Sequence, residues 1–367
     1  MIRTAAVAAL VTSLSAGPAA PQPRDEEGRF VNLDPGERHG FGDFLKWQIG
    51  DRLSGEKRST PDRAPVPAVP VDLARIASPP GKGEPARLTW LGHSSFLVQL
   101  DGVSLLLDPV LEDRMGPMGI IGRNVPPPLR PGQLPRIDAV LVSHDHYDHL
   151  DLPTLRAVRA PVAAGLGNEE LLRRERLLAV PLRWWQSTRF GGVTVTFVPA
   201  QHFSGRSLHD RDRTLWGGFV IQGSTATIYH AGDTGWFSGF AEIGRRFPGI
   251  DAALLPIGAY DPRWFMRPVH VDPEEALRAF GELGARTFVA MHWGTFKQAD
   301  EPLDEPPVRL EAERARLGLA PERVRVLAVG ETLDVGGPAE ARAAPGGFSI
   351  RPGGEARIGS SGEVPVP

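Results

Sequence analysis

Apolar and polar positions follow two periods along the middle of the chain. Leu88–Leu91, Ser95–Leu100 and Val103–Leu107 are short apolar runs of strand length, and the Asp101-Gly102 pair between the last two predicts a tight hairpin. Ile137–Val142 is a continuous apolar run, the pattern of a buried strand. Further strands are predicted at Gly192–Pro199, Gly217–Gln222, Thr225–Tyr229, Asp251–Ile257 and Thr287–Met291. Helical spacing predicts Pro153–Arg159, Asn168–Arg176, Phe237–Phe247, Pro273–Leu283, with Asp272 as its N-cap, and Arg309–Leu317. Strands and helices alternate in two halves without a close repeat, which predicts one α/β domain over residues 87–335.

The flanks read differently. Met1–Ala20 carries one early cation, Arg3, then a mildly apolar run from Ala5 to Ala16. That run is shorter than the roughly 20 residues a membrane span needs. It has the form of a signal-peptide apolar region, although Thr12, Ser13 and Ser15 interrupt it and no Ala-x-Ala site follows. Export to the periplasm is the expectation, the alternative being a cytoplasmic protein with peripheral membrane association. Residues 21–86 read as an irregular extension with one short helix at Asp43–Arg52 and a proline-bearing linker at Pro61–Pro85. The helix residues Phe44, Leu45, Trp47 and Ile49 suit packing onto the domain, or contact with a membrane or substrate groove. Gly116–Pro135 is a Pro/Gly-rich excursion with the character of a substrate loop, and residues 336–367 have the composition of a disordered tail.

Composition narrows the function classes. A hydrophobic content of 41% supplies a full core. A formal charge of -3 lacks the basic footprint usual for nucleic-acid binding. The chain has no cysteine, which excludes disulfides and thiolate metal sites.

The chemistry concentrates at His144-Asp145-His146-Tyr147-Asp148-His149, directly after the buried strand. Three of the chain's 10 histidines fall within these six positions. Neutral imidazoles suit zinc and similar ions, and a carboxylate adds a harder oxygen ligand. Three later strands end beside further candidates: His202 after Val195–Pro199, Asp233 after Thr227–Tyr229, and His292 after Phe288–Met291. Asp108, at the end of Leu105-Leu106-Leu107, suits a carboxylate that orients a ligand imidazole. His93 is either near the site or structural, His230 reads as structural, and His39 and His209 give no signal.

His144, His146, Asp148 and His149 together resemble the His-x-His-x-Asp-His signature of metallo-β-lactamase-fold hydrolases. The resemblance implies an αββα sandwich with two divalent ions, zinc above all. His144, His146 and His202 would hold one ion, Asp148, His149 and His292 the second, Asp233 would bridge both, and the two ions would share one hydroxide. A longer series is similar to the N-acylphosphatidylethanolamine-hydrolysing phospholipase D family. It comprises Phe30-Val31-Asn32, Trp184-Trp185, Leu215-Trp216-Gly217, Glu242-Ile243-Gly244, the run from Pro256 to Met266 continuing to Ala276, and Met291 to Phe296. This resemblance covers roughly Arg87 to Leu319 and implies cleavage of a phospholipid phosphodiester to phosphatidic acid and an N-acylethanolamine. It implies Asp233 and His270 as catalytic residues, His270 binding the phosphate or protonating the leaving alcohol. Tyr260, Trp264 and Phe265, with Trp236 and Trp293, are candidates to wall an apolar channel.

Two rivals share parts of this pattern. A lactonase or a phosphodiesterase of a small soluble substrate would use the same ligands. A non-enzymatic metal-binding envelope protein would keep the fold. A phospholipid or small phosphodiester is the expected partner, with no nucleic acid; peripheral membrane contact and a homodimer are compatible with the sequence. The charged stretch Arg206–Arg213 matches no acyl-binding feature.

Overall fold

The computed structural model describes residues 12–14, 22–34, 36–55, 60–207, 209–337, 348–350 and 356–358. The expected leader, apart from Thr12–Leu14, and most of the expected tail lie outside them.

Two sheets face each other, and helices cover both outer faces. The first sheet runs in the order β14, β1, β2, β3, β4, β5, β6. These strands are β1 Ala86–Trp90, β2 Phe96–Leu100, β3 Val103–Leu107, β4 Ala139–Val142, β5 Val162–Gly165, β6 Ala179–Leu182 and β14 Thr332–Val335. The second runs from β7 to β13, with Thr12–Leu14 paired outside β7. Its members are β7 Ser187–Phe190, β8 Val193–Val198, β9 Gly218–Gln222, β10 Thr227–His230, β11 Ala252–Pro256, β12 Thr287–Met291 and β13 Val324–Arg325. This is the αββα sandwich.

Alternation along the strands builds the layers. Phe96, Val98, Leu105, Leu107 and Leu141 point between the sheets, into a core shared with Phe197, Phe219 and Leu254. Their neighbours Leu97, Leu106, Val140 and Val142 point outward and pack with Ile76, Leu155 and Leu172 from the covering helices. β3 to β6 are parallel, as are β10 to β13. Parallel strands are covered on both sides, which explains runs as apolar as Ala252–Pro256. Their C-terminal ends lie along one edge, and that edge carries the polar residues of interest.

Several expectations shift at element ends. The last helix begins at Glu305, before the predicted Arg309, because Pro306 and Pro307 occupy a first turn whose N–H groups need no partner. Pro61–Pro85 is packed rather than a free linker. Val329 accepts from the Val69 N–H and donates to the Pro67 carbonyl of this stretch, the helix Leu73–Ala77 is capped by Asp72, and Ile76 is buried. The segment at 41–54 is helical over Phe41–Leu45, a wide turn at Lys46–Gly50, and Asp51–Ser54.

The residues before Arg87 also enter the main core. Phe30 is fully buried there, its N–H donates to the Asp212 carbonyl, and the Arg24 guanidinium lies 3.7 Å from its ring centroid. Phe30→Ala is therefore expected to destabilise the whole domain by about 3–5 kcal/mol. Chemical denaturation checks this; an unchanged midpoint would mean that the segment is not integral to the core.

Candidate metal centre

Each candidate ligand follows a strand of the common edge. β4 delivers His144, His146, Asp148 and His149; β8 delivers His202; β10 delivers Asp233; β12 delivers His292. The connections are tight. Asp108, His93 and His292 all adopt left-handed backbone, with φ of 38°, 54° and 59°. Such conformations cost roughly 1–3 kcal/mol for non-glycine residues and persist only where surrounding structure imposes them. Gly232 sits at a close approach, since a Cβ there would lie 2.7 Å from both the Gly217 carbonyl oxygen and Ser143 Cβ.

Seven side chains from four segments form two adjoining groups. In the first, His146 Nδ1 lies 2.8 Å from His144 Nε2 and 3.3 Å from His202 Nε2. In the second, Asp148 Oδ2 lies 3.3 Å from His149 Nε2 and 3.5 Å from His292 Nε2. Asp233 Oδ2 belongs to both. It is 4.0 Å from His144, 3.9 Å from His202, 3.2 Å from His149 and 3.0 Å from His292. The structure thus brings together all seven residues that the sequence singled out.

The donor set fits divalent ions. Asp233 Oδ1, His149 Nε2 and His292 Nε2 are buried and make no hydrogen bond among the described residues. Buried polar atoms without partners are costly, and converging ones mark a place for a cation. Burial, then the neighbouring imidazoles, pushes His144 well below the ordinary imidazole range. Burial likewise brings His146 down to about 4 and His202 to about 3. These three are neutral lone-pair donors at pH 7. His149 and His292 behave oppositely. Burial opposes their charge, but the Asp233 and Asp148 carboxylates outweigh it, holding His149 well above its usual value and His292 at about 9.

Further groups orient these ligands. Asp108 Oδ2 accepts from His149 Nδ1 at 2.8 Å and from Ser143 Oγ at 2.6 Å, while Oδ1 accepts from the Ser143 N–H at 2.7 Å. Asp108 therefore occupies the place expected of it. His93 is beside the site, with Nε2 2.8 Å from Asp148 Oδ2. His230 bonds instead to the Ser94 carbonyl, its Nε2 lying 4.0 Å from Asp108 Oδ2 behind the ligands. Two contacts were not visible in the sequence. Gln298 Nε2 donates to Asp148 Oδ2 at 2.8 Å. Asn32 exchanges two hydrogen bonds with the His202 backbone and is part of the Phe30-Val31-Asn32 stretch.

A cavity of about 820 Å³ opens onto the ligands His146, Asp148, His202 and Asp233, and onto His270. Its aromatic lining comprises Phe41, Phe44, Trp47, Phe203 and Phe265, with Phe203 packed against His146 and His202. His270 is half-buried, its Nδ1 is enclosed without a hydrogen-bond partner among the described residues, and desolvation pushes its pKa well down. Of the predicted channel residues only Phe265 lines the cavity. Tyr260 is buried elsewhere, its hydroxyl donating to Glu305 at 2.7 Å. Trp264 is turned outward, because neighbours on a helix point in different directions; its Nε1 donates to Asp51 and Lys46 lies over its ring. Trp236 is covered by Arg278, and Trp293 stacks on Trp90. The Gly116–Pro135 excursion contributes nothing to the lining, whereas His39, stacked on Phe265, does.

Residues 104–293 match the family model of the β-lactamase superfamily domain, over just the span that holds all seven side chains. The chain belongs to the metallo-β-lactamase superfamily. An uncharacterized protein of Mycobacterium tuberculosis is 38% identical over 336 residues, covering 86% of this chain and 85% of its own length. The N-acyl-phosphatidylethanolamine-hydrolyzing phospholipase D 1 of Caenorhabditis elegans is 37% identical over 226 residues, covering 57% of this chain and 64% of that protein. The solved structure of a metallo hydrolase from Ignicoccus hospitalis superposes with a TM-score of 0.52 at 26% identity, covering 68% of this chain and 97% of that one. The present protein is a metal-dependent hydrolase of this superfamily.

Two outcomes follow for metal binding. His149 and His292 must lose protons to act as ligands, so zinc added to metal-free protein at pH 7 should release about two protons per chain. The His292 share of that release should fade as the pH is raised through its value of about 9. Titration in weak buffer measures it; pH-independent uptake would contradict the charge assignment. Asp233→Asn should lose at least one of about two bound ions, read by elemental analysis, since both groups share its oxygen.

Proposed function

We propose that this hydrolase is a dinuclear phosphodiesterase, with zinc as its expected ion, cleaving N-acylphosphatidylethanolamine-type phospholipids to phosphatidic acid and N-acylethanolamine. One observation carries the reading: a single cavity joins an aromatic wall to the metal-ligand cluster. A small polar substrate needs no such wall, whereas an acyl chain does. The similarity to the phospholipase D of Caenorhabditis elegans supports the same substrate class.

His144, His146 and His202 would hold one ion, Asp148, His149 and His292 the other, and Asp233 would touch both. When bound, the ions supply Lewis-acid charge and a water acidified toward neutrality. Phe44, Trp47, Phe203 and Phe265 hold the lipid chains and keep water away from the phosphate. His270, neutral at pH 7, offers its N–H to a phosphoryl oxygen or to the leaving alkoxide. The helical segment 41–54 turns Trp47 inward while Phe41, Ile49 and Leu53 are 63%, 54% and 83% exposed beside Lys46 and Arg52. This arrangement suits a helix resting on a bilayer surface, which would let a lipid pass from the membrane into the cavity. No helix among the described residues is long and apolar enough to cross a membrane.

The test is hydrolysis of N-acylphosphatidylethanolamine in phospholipid vesicles, with and without chelator, products resolved by mass. Chelator-sensitive release of N-acylethanolamine and phosphatidic acid is expected. Cleavage confined to a soluble phosphodiester or lactone would discard the lipid and keep the metal centre. His270→Ala should lower kcat by about 10²–10⁴-fold with little change in KM. Trp47→Ala should chiefly raise KM, by about tenfold per 1.4 kcal/mol of lost burial. Equal effects on a short-chain substrate would remove Trp47 from the acyl wall.

A further inference from the structure

The stretch Arg206–Arg213 has no role in the chemistry above, yet its geometry is specific. Arg206 is largely buried. Its Nη1 donates to the Asp145 carbonyl at 2.7 Å and to the Leu150 carbonyl at 2.8 Å, so one guanidinium nitrogen ties both ends of the loop that carries His146, Asp148 and His149. The guanidinium carbon lies 3.9 Å from the Tyr147 ring centroid, and the Tyr147 hydroxyl donates back to the Arg206 carbonyl at 3.0 Å. Asp145 completes the attachment, accepting from the Gly205 N–H at 2.8 Å and from Thr214 Oγ1 at 2.9 Å.

The opposite side of the same stretch holds the cavity wall. Arg211 Nη1 donates to the His39 carbonyl at 2.8 Å, and the Asp212 carbonyl accepts from the Phe30 N–H at 2.9 Å. Asp210 Oδ1 closes the stretch on itself by accepting from the N–H groups of Arg206 and Ser207. The stretch begins four residues after the candidate ligand His202 and reaches three others through Arg206.

We propose that Arg206 is a positioning residue for the metal centre, setting the spacing of the His144–His149 loop against His202 before any ion binds. This rests on the metal-centre reading. A guanidinium is suited to the task, since it is always charged and can meet two carbonyls while stacking on a ring; a lysine ammonium cannot do both. Groups that orient ligands typically contribute about 10–100-fold to metal affinity.

The full chain is titrated with zinc against a chromophoric chelator, and the visible spectrum of its cobalt-substituted form is recorded. Arg206→Met should weaken zinc binding about 10–100-fold and shift the cobalt bands, with thermal unfolding of the metal-free protein little changed. Arg206→Lys should recover part of the affinity, and Arg213→Met, which removes a charge from the same stretch, should leave it intact. A folded Arg206→Met protein with wild-type zinc affinity and cobalt spectrum overturns the proposal. If Arg206→Met does not fold, Tyr147→Phe decides: a several-fold loss of affinity supports the proposal and wild-type affinity overturns it. A wild-type chain that binds no zinc sinks the metal-centre reading itself, which separates the two failures.

Discussion

One carboxylate oxygen, Asp233 Oδ2, lies within 4.0 Å of four imidazole nitrogens from three separate segments, and its side chain is buried. Removing a carboxylate from water costs several kcal/mol, and the cost is offset only where compensating charge surrounds it. In the metal-free chain the compensation comes from His149 and His292, held in their charged form by Asp233 and Asp148 despite burial. The neutral group formed by His144, His146 and His202 adds lone pairs but no cation. Two ions would supply charge to both groups at once. The left-handed turns at Asp108, His93 and His292 are the local strain accepted to bring these groups together.

The parallel strands make this convergence possible. β4, β10 and β12 end at one edge, so a residue placed just after each strand arrives at the same region without a long loop. That is why so much of the centre was legible. His144 to His149 form a local cluster after an apolar run, and His202, Asp233 and His292 each follow a strand by one to four residues. Asp108 was readable for the same reason. Gln298 was not, because it follows no strand directly and its type is common on surfaces; only its 2.8 Å contact with Asp148, 150 residues away, reveals it.

The cavity wall was much less legible, and the reason is distance along the chain. Asn32 meets His202 across 170 residues, and Trp47 Nε1 donates to Asp300 across 253. No local period encodes such contacts. A proline-rich composition suggested a linker at Pro61–Pro85, yet proline also suits extended chain packed along a surface, as the Val69–Val329 pairing shows. The aromatic run around Trp264 failed as a channel because composition does not say which side of a four-residue helix faces inward; Phe265 does and Trp264 does not.

The wall and the centre are nonetheless mechanically joined at few points, and those points fall beside ligands. Asn32 grips the His202 backbone, and Asp300, which receives Trp47, lies two residues from Gln298 on Asp148. Glu301, next in sequence, accepts from the Ala259 and Asp261 N–H groups and so fixes the stretch leading to Phe265 and His270. On the proposed lipid reading, a chain that pushes on Trp47 acts through Asp300 on a segment whose Gln298 holds Asp148. In a close-packed interior such displacements are passed on rather than absorbed. On that reading, binding of the acyl portion and alignment of the phosphate are expected to be coupled, so that shortening the lipid lowers turnover as well as affinity.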